Sequence, residues 1–345
     1  MIQVKIYDKN HNPLTTFNVG EYSSLSYRKT LGQIGEASFT LELTNQKVTE
    51  ANTRNYNRIE ITHDDHFEWS GYIIKKRVTF NTVTIQCKET IGILAKRLTV
   101  DHSVNNGNPI TLLGNLITAM NIIDNTGITL GDTDAFANIN MTFNQQDMFS
   151  VVQAIAEVCQ AQFKVDNAGK LIFKTSIGVD RSSEVSFKYN VLQPQLATIL
   201  NFDVEDDGDN LVSRSWGKND PVISQQDDAT LITKYGVIEK FTTFSEANNA
   251  SMLDKQTQSI LSDTLYTPTI VITPYQEDDF DIGDTVNINI QNKLISINGN
   301  FQILDKSVKI VNSEKQISIK INKLPKDITD SIKSLQRSIN LIETK

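Results

Sequence analysis

Few residues in this 345-residue chain are of the kinds that usually carry chemistry. It has four histidines and two cysteines, Cys87 and Cys159. Two cysteines so far apart make neither a disulfide framework nor a cysteine-based zinc module. Ser26-Tyr27-Arg28-Lys29 has the S-x-x-K spacing of an activated serine. It lies among strand-like residues rather than at a helix start, so the match carries no nucleophile. His63-Asp64-Asp65-His66 offers metal-ligand types, but between two strand patterns it is more simply a solvated turn. Asp203-Val204-Glu205-Asp206-Asp207-Gly208-Asp209 opens like a calcium loop, with alternate acids and Gly sixth. Its twelfth position is Arg214 where a bidentate Glu is needed, so the EF-hand reading fails. Glu277, Asp278, Asp279 and Asp281 form a second acidic cluster. Paired carboxylates can hydrolyse glycosides, yet any acidic loop would satisfy that pattern. The sequence has no nucleophile elbow, P-loop, dinucleotide fingerprint or zincin helix. No catalytic residue, metal ligand or cofactor site is assigned, and the chain is expected not to be an enzyme.

The elements that would hold these residues are mostly strands. Glu36 to Leu43 alternates, with Ala37, Phe39, Leu41 and Leu43 on one face. Arg58 to Thr62, Phe67 to Arg77 and Thr82 to Lys88 continue that period. Asn45, Asp64 and Asn81 mark short turns between them. The middle of the chain changes character. Asn108-Pro109 opens a helix, Asn as cap and Pro at the first position. Its stripe is Ile110, Leu113, Ile117 and Met120, widened by Leu112 and Leu116. Asp147 caps a second helix buried through Phe149, Val152, Ile155 and Cys159. A hairpin then turns at Asn167-Ala168-Gly169.

Strands return from about Val191. They are expected at Thr198–Val204, Leu211–Trp216, Ile232–Val237, Thr269–Thr273, Thr285–Ile290, Lys293–Ile297, Asn300–Leu304, Ser307–Val311 and Gln316–Ile321. Ser245 can cap a helix running to Leu265. The later strands repeat the order of the earlier ones. Ile59-Glu60-Ile61, Gly71-Tyr72-Ile73 and Thr82 to Cys87 are matched by Val286 to Ile290, Gly299-Asn300-Phe301 and Gln316 to Ile321. That suggests duplication of one barrel-like domain. Beyond Pro325, Ile328, Ile332, Leu335, Ile339 and Ile342 recur at spacings of four and three. Such a 3.5-residue period fits a coiled-coil seam, and isoleucine at both a and d leans towards trimers or tetramers. An amphipathic helix lying on its own domain fits the same residues.

Composition agrees with a folded chain. Hydrophobic residues are 39% and charged residues 21%. The formal charge of −8 disfavours a nucleic-acid-binding surface. No apolar run approaches the roughly 20 residues of a membrane span. The start, Met1 to Tyr7, reads as a strand without a signal-peptide core, which implies folding in a cytosol. Isoleucine (40) and asparagine (32) are abundant, as many strands and many turns require.

One ordered set of motifs is informative. Ser213-Arg214-Ser215-Trp216 is followed by Lys234-Tyr235-Gly236-Val237-Ile238-Glu239-Lys240, then a helix, then Phe280-Asp281-Ile282-Gly283-Asp284-Thr285-Val286. Upstream stand Phe39-x-Leu41-x-Leu43, Trp69-Ser70-Gly71-Tyr72-Ile73 and Gln86-Cys87-Lys88. This order resembles the hub proteins at the tip of bacteriophage tails, both the baseplate hub of contractile phages and the hub part of siphophage tail-associated proteins. The resemblance implies an α+β, mostly β fold with two related β-barrel domains. It places the first at 1–98, an α+β insert at 99–190, the second at 191–325 with a helical insertion around 245–265, and a C-terminal helix at 326–345. It also implies a homotrimer whose six barrels make a pseudo-sixfold ring, adapting a sixfold tube to a threefold tip. Implied partners are the distal tail or tube proteins, the tape-measure protein and receptor-binding proteins, with transient passage of DNA, in a virion assembled in a bacterial cytoplasm.

Lys234, Tyr235, Gly236, Glu239, Asp281, Gly283 and Asp284 take structural roles in this reading. An acidic bore would keep DNA from sticking. Its candidate lining residues are Asp203, Glu205, Asp206, Asp207, Asp209, Glu277, Asp278, Asp279 and Asp281. The trimer seam is Ile328, Ile332, Leu335, Ile339 and Ile342. Many siphophage relatives carry a lytic or host-binding extension, and this chain stops at Lys345. The alternatives are a tail-associated peptidoglycan hydrolase or peptidase, and a host-saccharide-binding tail protein. For the latter, Trp69 and Trp216 are both expected in cores.

Overall fold

The computed structural model describes residues 1–321 except 65, 100–101, 144, 160, 206–210, 245–249, 264–268, 275–279 and 312–313. The chain divides into two compact units. The first is Met1–Phe202 with the chain from Val271 onward, and the second is Asp203–Ile270.

The first unit begins with β1 (Ile2–Tyr7), β2 (Pro13–Asn18), β3 (Tyr22–Thr30), β4 (Glu36–Glu42), β5 (Arg58–His63), β6 (His66–Val78) and β7 (Thr82–Glu89). Burial alternates as the sequence period requires. In β4, Ala37, Phe39 and Leu41 are buried, while Leu43 falls past the strand end and is exposed. Strand β6 is long because it serves two partners. Its first part, to Tyr72, pairs β5, and its second part, from Gly71, pairs β7. Gly71 sits at that change. A Cβ there would overlap both the Lys88 carbonyl oxygen and the Trp69 ring. Trp69 itself is 1% exposed.

A helical layer follows: β8 (His102–Gly107), α1 (Pro109–Ile123), β9 (Thr129–Thr133), β10 (Ile139–Phe143), α2 (Met148–Cys159), β11 (Gln162–Val165) and β12 (Lys170–Lys174). The Asn108 side chain accepts from the N–H groups of Ile110 and Thr111, and Asp147 accepts from Ser150 N–H at 2.9 Å. Leu113, Ile117, Val152 and Ile155 share one core with Phe163 and Phe173 of the hairpin.

Next come β13 (Ser186–Asn190) and β14 (Ile199–Glu205). The second unit holds β15 (Arg214–Asn219), β16 (Val222–Asp227), α3 (Ala229–Tyr235), β17 (Glu239–Thr243) and α4 (Ala250–Asp263). The chain ends its described part with β18 (Thr269–Pro274), β19 (Thr285–Gln291), β20 (Ser296–Val311) and β21 (Glu314–Ile321). Two expectations need correction. Ile232–Val237 is not a strand: Ile232 to Tyr235 belong to helix α3, which starts under the Asp228 side chain and stops at Gly236, φ +83°. The three short strands expected between Lys293 and Val311 are one continuous strand, β20.

Strand β20 repeats the device of β6. Ser296–Gln302 pair β19, and Ile303–Val311 pair β21. The series β19–β20–β21 therefore has the connectivity of β5–β6–β7. The second half of β20 also pairs β3, Asp305 opposite Thr30 and Val311 opposite Ser24. That single pairing joins the ends of the chain into one 13-stranded sheet, running β14-β18-β21-β20-β3-β4-β7-β6-β5-β1-β2 with β13 and β19 alongside. The mostly β, α+β fold with an inserted helical layer is the one expected. The described strands make an open order rather than a closed barrel. In the second unit, β16-β15-β17 form a separate three-stranded sheet.

Candidate functional site

The Asp281-Ile282-Gly283-Asp284 turn enters β19 and organises a polar cluster. Gly283 has φ +93°, and a Cβ there would sit 2.7 Å from the Ile177 carbonyl oxygen, so glycine is required on both counts. Asp284 is buried. Its carboxylate accepts from the N–H of Val179 at 2.8 Å, from the N–H of Asp281 at 3.0 Å and from Arg181 Nε at 3.3 Å. Asp284 thus fixes the turn against the strand-entry segment at 179–181, the structural role assigned to it.

Three lysines converge on the same turn. Lys29 Nζ of β3 donates to both Asp281 oxygens at 3.2 Å. Lys306 Nζ donates to the Phe280 carbonyl at 2.8 Å and stands over the Phe280 ring. Lys164 Nζ donates to the Ile282 carbonyl at 3.2 Å. Burial pushes the Asp281 carboxyl up, but the Lys29, Lys164 and Lys306 ammoniums outweigh it and hold the group below its ordinary range. The neighbouring Glu89 carboxylate accepts from Gly35 N–H at 2.9 Å. Burial pushes Glu89 up to about 7, against the pull of the Gly35 N–H, Lys29 and Lys164. Arg28 pairs with Asp305 of β20, and Thr30 Oγ1 donates to the same carboxylate. These bonds tie the first strands to the last. They are the work of fixed, mutually satisfied charges rather than of a reactive group.

The remaining candidates are placed as follows. Ser26 and Lys29 are three apart in β3, hence on opposite faces, and do not meet. The His63–His66 segment is the β5–β6 turn. Asp64 there pairs with the Met1 ammonium, and Asp65 lies outside the described residues. Among the described residues no group of three or more His, Cys, Asp or Glu could hold a metal. Asp203 is exposed on β14, and Glu205 ends that strand. Asp281 is committed to Lys29. Asp206, Asp207, Asp209, Glu277, Asp278 and Asp279, and the seam residues Ile328, Ile332, Leu335, Ile339 and Ile342, lie outside the described residues. Among the described residues no helix is long and apolar enough to cross a membrane.

Two surfaces escaped the sequence reading. Across five strands of the large sheet, side chains on one face form two cross-strand rows. One is Gln316, Lys309, Ser26, Ser38 and Gln86, and the other is Ser318, Ser307, Arg28, Glu36 and Lys88. They floor an open groove of about 550 Å³. The groove is rich in hydroxyls and amides, and its charges are largely paired: Arg28 with Asp305, and Lys88 with Glu36. The alternation of Ser26, Arg28, Ser38 and Gln86 was visible. Their union with β20 and β21 was not, because it spans almost the whole chain. The second surface is in the second unit, where Trp216 is not in a core as expected. It lies on the sheet face away from α4, its Nε1 donating to Glu239 at 2.9 Å.

This fold is similar to those of solved tail and secretion-system proteins, among them the following. A 43 kDa tail protein of prophage MuSo2 from Shewanella oneidensis matches with TM-score 0.73 and 10% identity, covering 93% of this chain and 97% of that one. Prophage tail protein gp18 from Listeria monocytogenes matches with TM-score 0.61 and 12% identity, over 98% of both chains. The c3393 protein of E. coli, a type VI secretion component described as similar to T4 tail proteins gp27 and gp5, matches with TM-score 0.52 and 7% identity, covering 88% of this chain and 74% of that one. No family model and no curated protein sequence matches this chain.

Proposed function

We propose that this chain is a structural hub at the tip of a phage tail. It forms a homotrimeric ring that adapts the sixfold tube to a threefold tip and continues or plugs the DNA channel. The observation that carries this reading is agreement of fold with a tail protein over nearly the full length of both chains. The chain's own architecture supports it. The strand device used twice, β5–β6–β7 and β19–β20–β21, gives each copy two similar segments, as a threefold ring with pseudo-sixfold symmetry needs. The grooved face suits a passage. Small hydroxyl and amide side chains, with Arg28 and Lys88 paired to carboxylates, leave Lys309 as the groove's one other cation among the described residues and offer a polyanion few places to hold. Acids at 203–209 and 277–279 add repulsion along the bore in this reading, and the 328–342 seam holds the three copies together. The neighbours of this tip are the distal tail or tube ring, the tape-measure protein and receptor-binding proteins. The chemistry-bearing residues serve as fixed ties, so the reading excludes a catalytic role.

The type VI secretion match makes the hub of a contractile injection machine the second reading. Mass in solution tests the ring. Three chain masses, lost when Ile332 and Ile339 become Asp, is the expected result. A monomer at high concentration with no threefold contact in any structure overturns it. Electron microscopy of the parent particle separates a phage tip from an injection machine. Charge reversal at Asp203, Glu205, Asp206, Asp207 and Asp209 together with Glu277, Asp278 and Asp279 is expected to slow DNA ejection, and unchanged ejection removes the acidic bore.

A further inference from the structure

The second unit's sheet is patterned inside out. Helix α4 packs on β15 and β16 through small residues: Ser215, Gly217 and Ser224 are all buried. Ser215 Oγ donates to the Thr257 carbonyl at 2.8 Å, and a Cβ on Gly217 would overlap Thr257 Oγ1. The large side chains stand on the opposite, open face. There the register sets a three-by-three grid. Asp227, Arg214 and Glu239 form one row, Gln225, Trp216 and Phe241 the next, and Ile223, Lys218 and Thr243 the third. Phe241 is 59% and Ile223 58% exposed. A sheet under one helix ordinarily buries its large residues and wets its small ones. Reversal of that order, with Phe241 and Ile223 exposed and Trp216 partly so, marks a face built to receive something.

The polar row says what. Arg214 donates to both Asp227 oxygens, at 2.7 and 2.8 Å, and Gln225 Nε2 donates to Asp227 at 3.1 Å. Trp216 is oriented by its bond to Glu239. Donors and acceptors are therefore fixed beside an indole and a phenyl ring on adjacent strands. Two carboxylates and two cations cancel within the grid, so it has no charge with which to favour a polyanion or a basic peptide. A planar apolar platform beside preset donors and acceptors, without net charge, matches a pyranose, which has a C–H face and a rim of hydroxyls. We propose that the open face of the β16-β15-β17 sheet, centred on Trp216 and Phe241, binds a neutral saccharide. The inference is independent of the hub reading.

Affinity electrophoresis of the full chain tests it, through gels cast with dextran, mannan, galactan or a rhamnose–glucose polysaccharide. Retardation by at least one polymer, unaffected by added salt, is expected. Phe241→Ala and Gln225→Ala alter only exposed side chains and keep the fold. Phe241→Ala should weaken retardation about tenfold, a modest share of what a buried aromatic contact contributes. Trp69 is enclosed, so a saccharide-induced change in tryptophan emission reports Trp216, and Trp216→Phe should abolish it. Unchanged migration in every gel overturns the proposal. So does retardation that Phe241→Ala leaves intact or that salt abolishes, and so does protection of Phe241 by self-association instead of by saccharide.

Discussion

Two sheets of this protein, the 13-stranded one and the three-stranded one of the second unit, sort their side chains in opposite ways. The large sheet turns Phe39, Leu41, Ile59, Ile61 and Trp69 inward and leaves serines and glutamines on its grooved face. The small sheet buries Ser215, Gly217 and Ser224, leaves Phe241 and Ile223 in water and only partly covers Trp216. In the first the apolar residues make the fold, and in the second they are available for a partner. The two tryptophans separate the cases. Trp69→Ala opens a cavity beside the β6 corner and should cost about 3–5 kcal/mol. Trp216→Ala should cost about 1–2 kcal/mol, because the ring is only partly covered and its loss leaves a surface gap rather than an enclosed void. Denaturant midpoints measure both, and equal losses would erase the distinction between the sheets.

Much of this was legible and some was not, for physical reasons. The β4 alternation, the Asn108 and Asp147 caps and the turn at Gly169 are local, and the residues that fix them are adjacent in sequence. Helix α3 was equally local but misread. Ile232 to Val237 looked like a strand, while Asp228 before it and Gly236 at its end were its start and stop signals. The pairing of β3 with β20 was beyond reach, since no local pattern states which strand lies beside which across almost the full chain. For the same reason Asp281 read as a candidate channel-lining acid, and its three lysines, from β3, β11 and β20, went unseen.

That cluster gives the next largest effect after Trp69. Lys29 is 9% exposed and faces Asp281. Lys29→Met leaves the carboxylate without its closest cation, although the carboxylate is partly open to water, which limits the loss to about 2 kcal/mol. The conservative Lys29→Arg should recover part of it. A loss no larger than that of a surface lysine would show that backbone pairing alone joins the two ends of the large sheet.

The cluster also shapes the pH dependence. Asp281 is held below its ordinary 3.8, so its contribution is present above that value and is lost as pH falls through the lower folded value. Glu89 runs the other way. Its folded value of about 7 lies above the ordinary 4.5, so the folded state holds the extra proton in between, and stability declines as pH rises from about 4.5 to about 7. Glu89→Gln should flatten that decline while leaving the acid limb in place. Chemical denaturation at pH 5 and pH 8 reads it directly. An unchanged slope would mean that Glu89 is as wet in the folded chain as in the unfolded one.

Glycines sharpen the comparison between the sheets further. At Gly71 in the large sheet the backbone conformation is ordinary and space is the constraint, because a Cβ would strike the Lys88 carbonyl and Trp69. At Gly236 in the small unit there is open space around a Cβ, and φ of +83° is the constraint. Gly236→Ala should therefore cost about 1–3 kcal/mol, because φ of +83° with ψ of −170° is a conformation that essentially only glycine adopts. Gly236→Asn should cost about as much, because asparagine's tolerance is for the left-handed helical region and not for this one. The same pair of substitutions at Gly71 should follow size instead, with Gly71→Asn worse than Gly71→Ala, because an added side chain has nowhere to go. Denaturant midpoints of the four variants give both rankings. If both sites ranked asparagine and alanine alike, the close approach at the β6 corner would not be what makes Gly71 necessary.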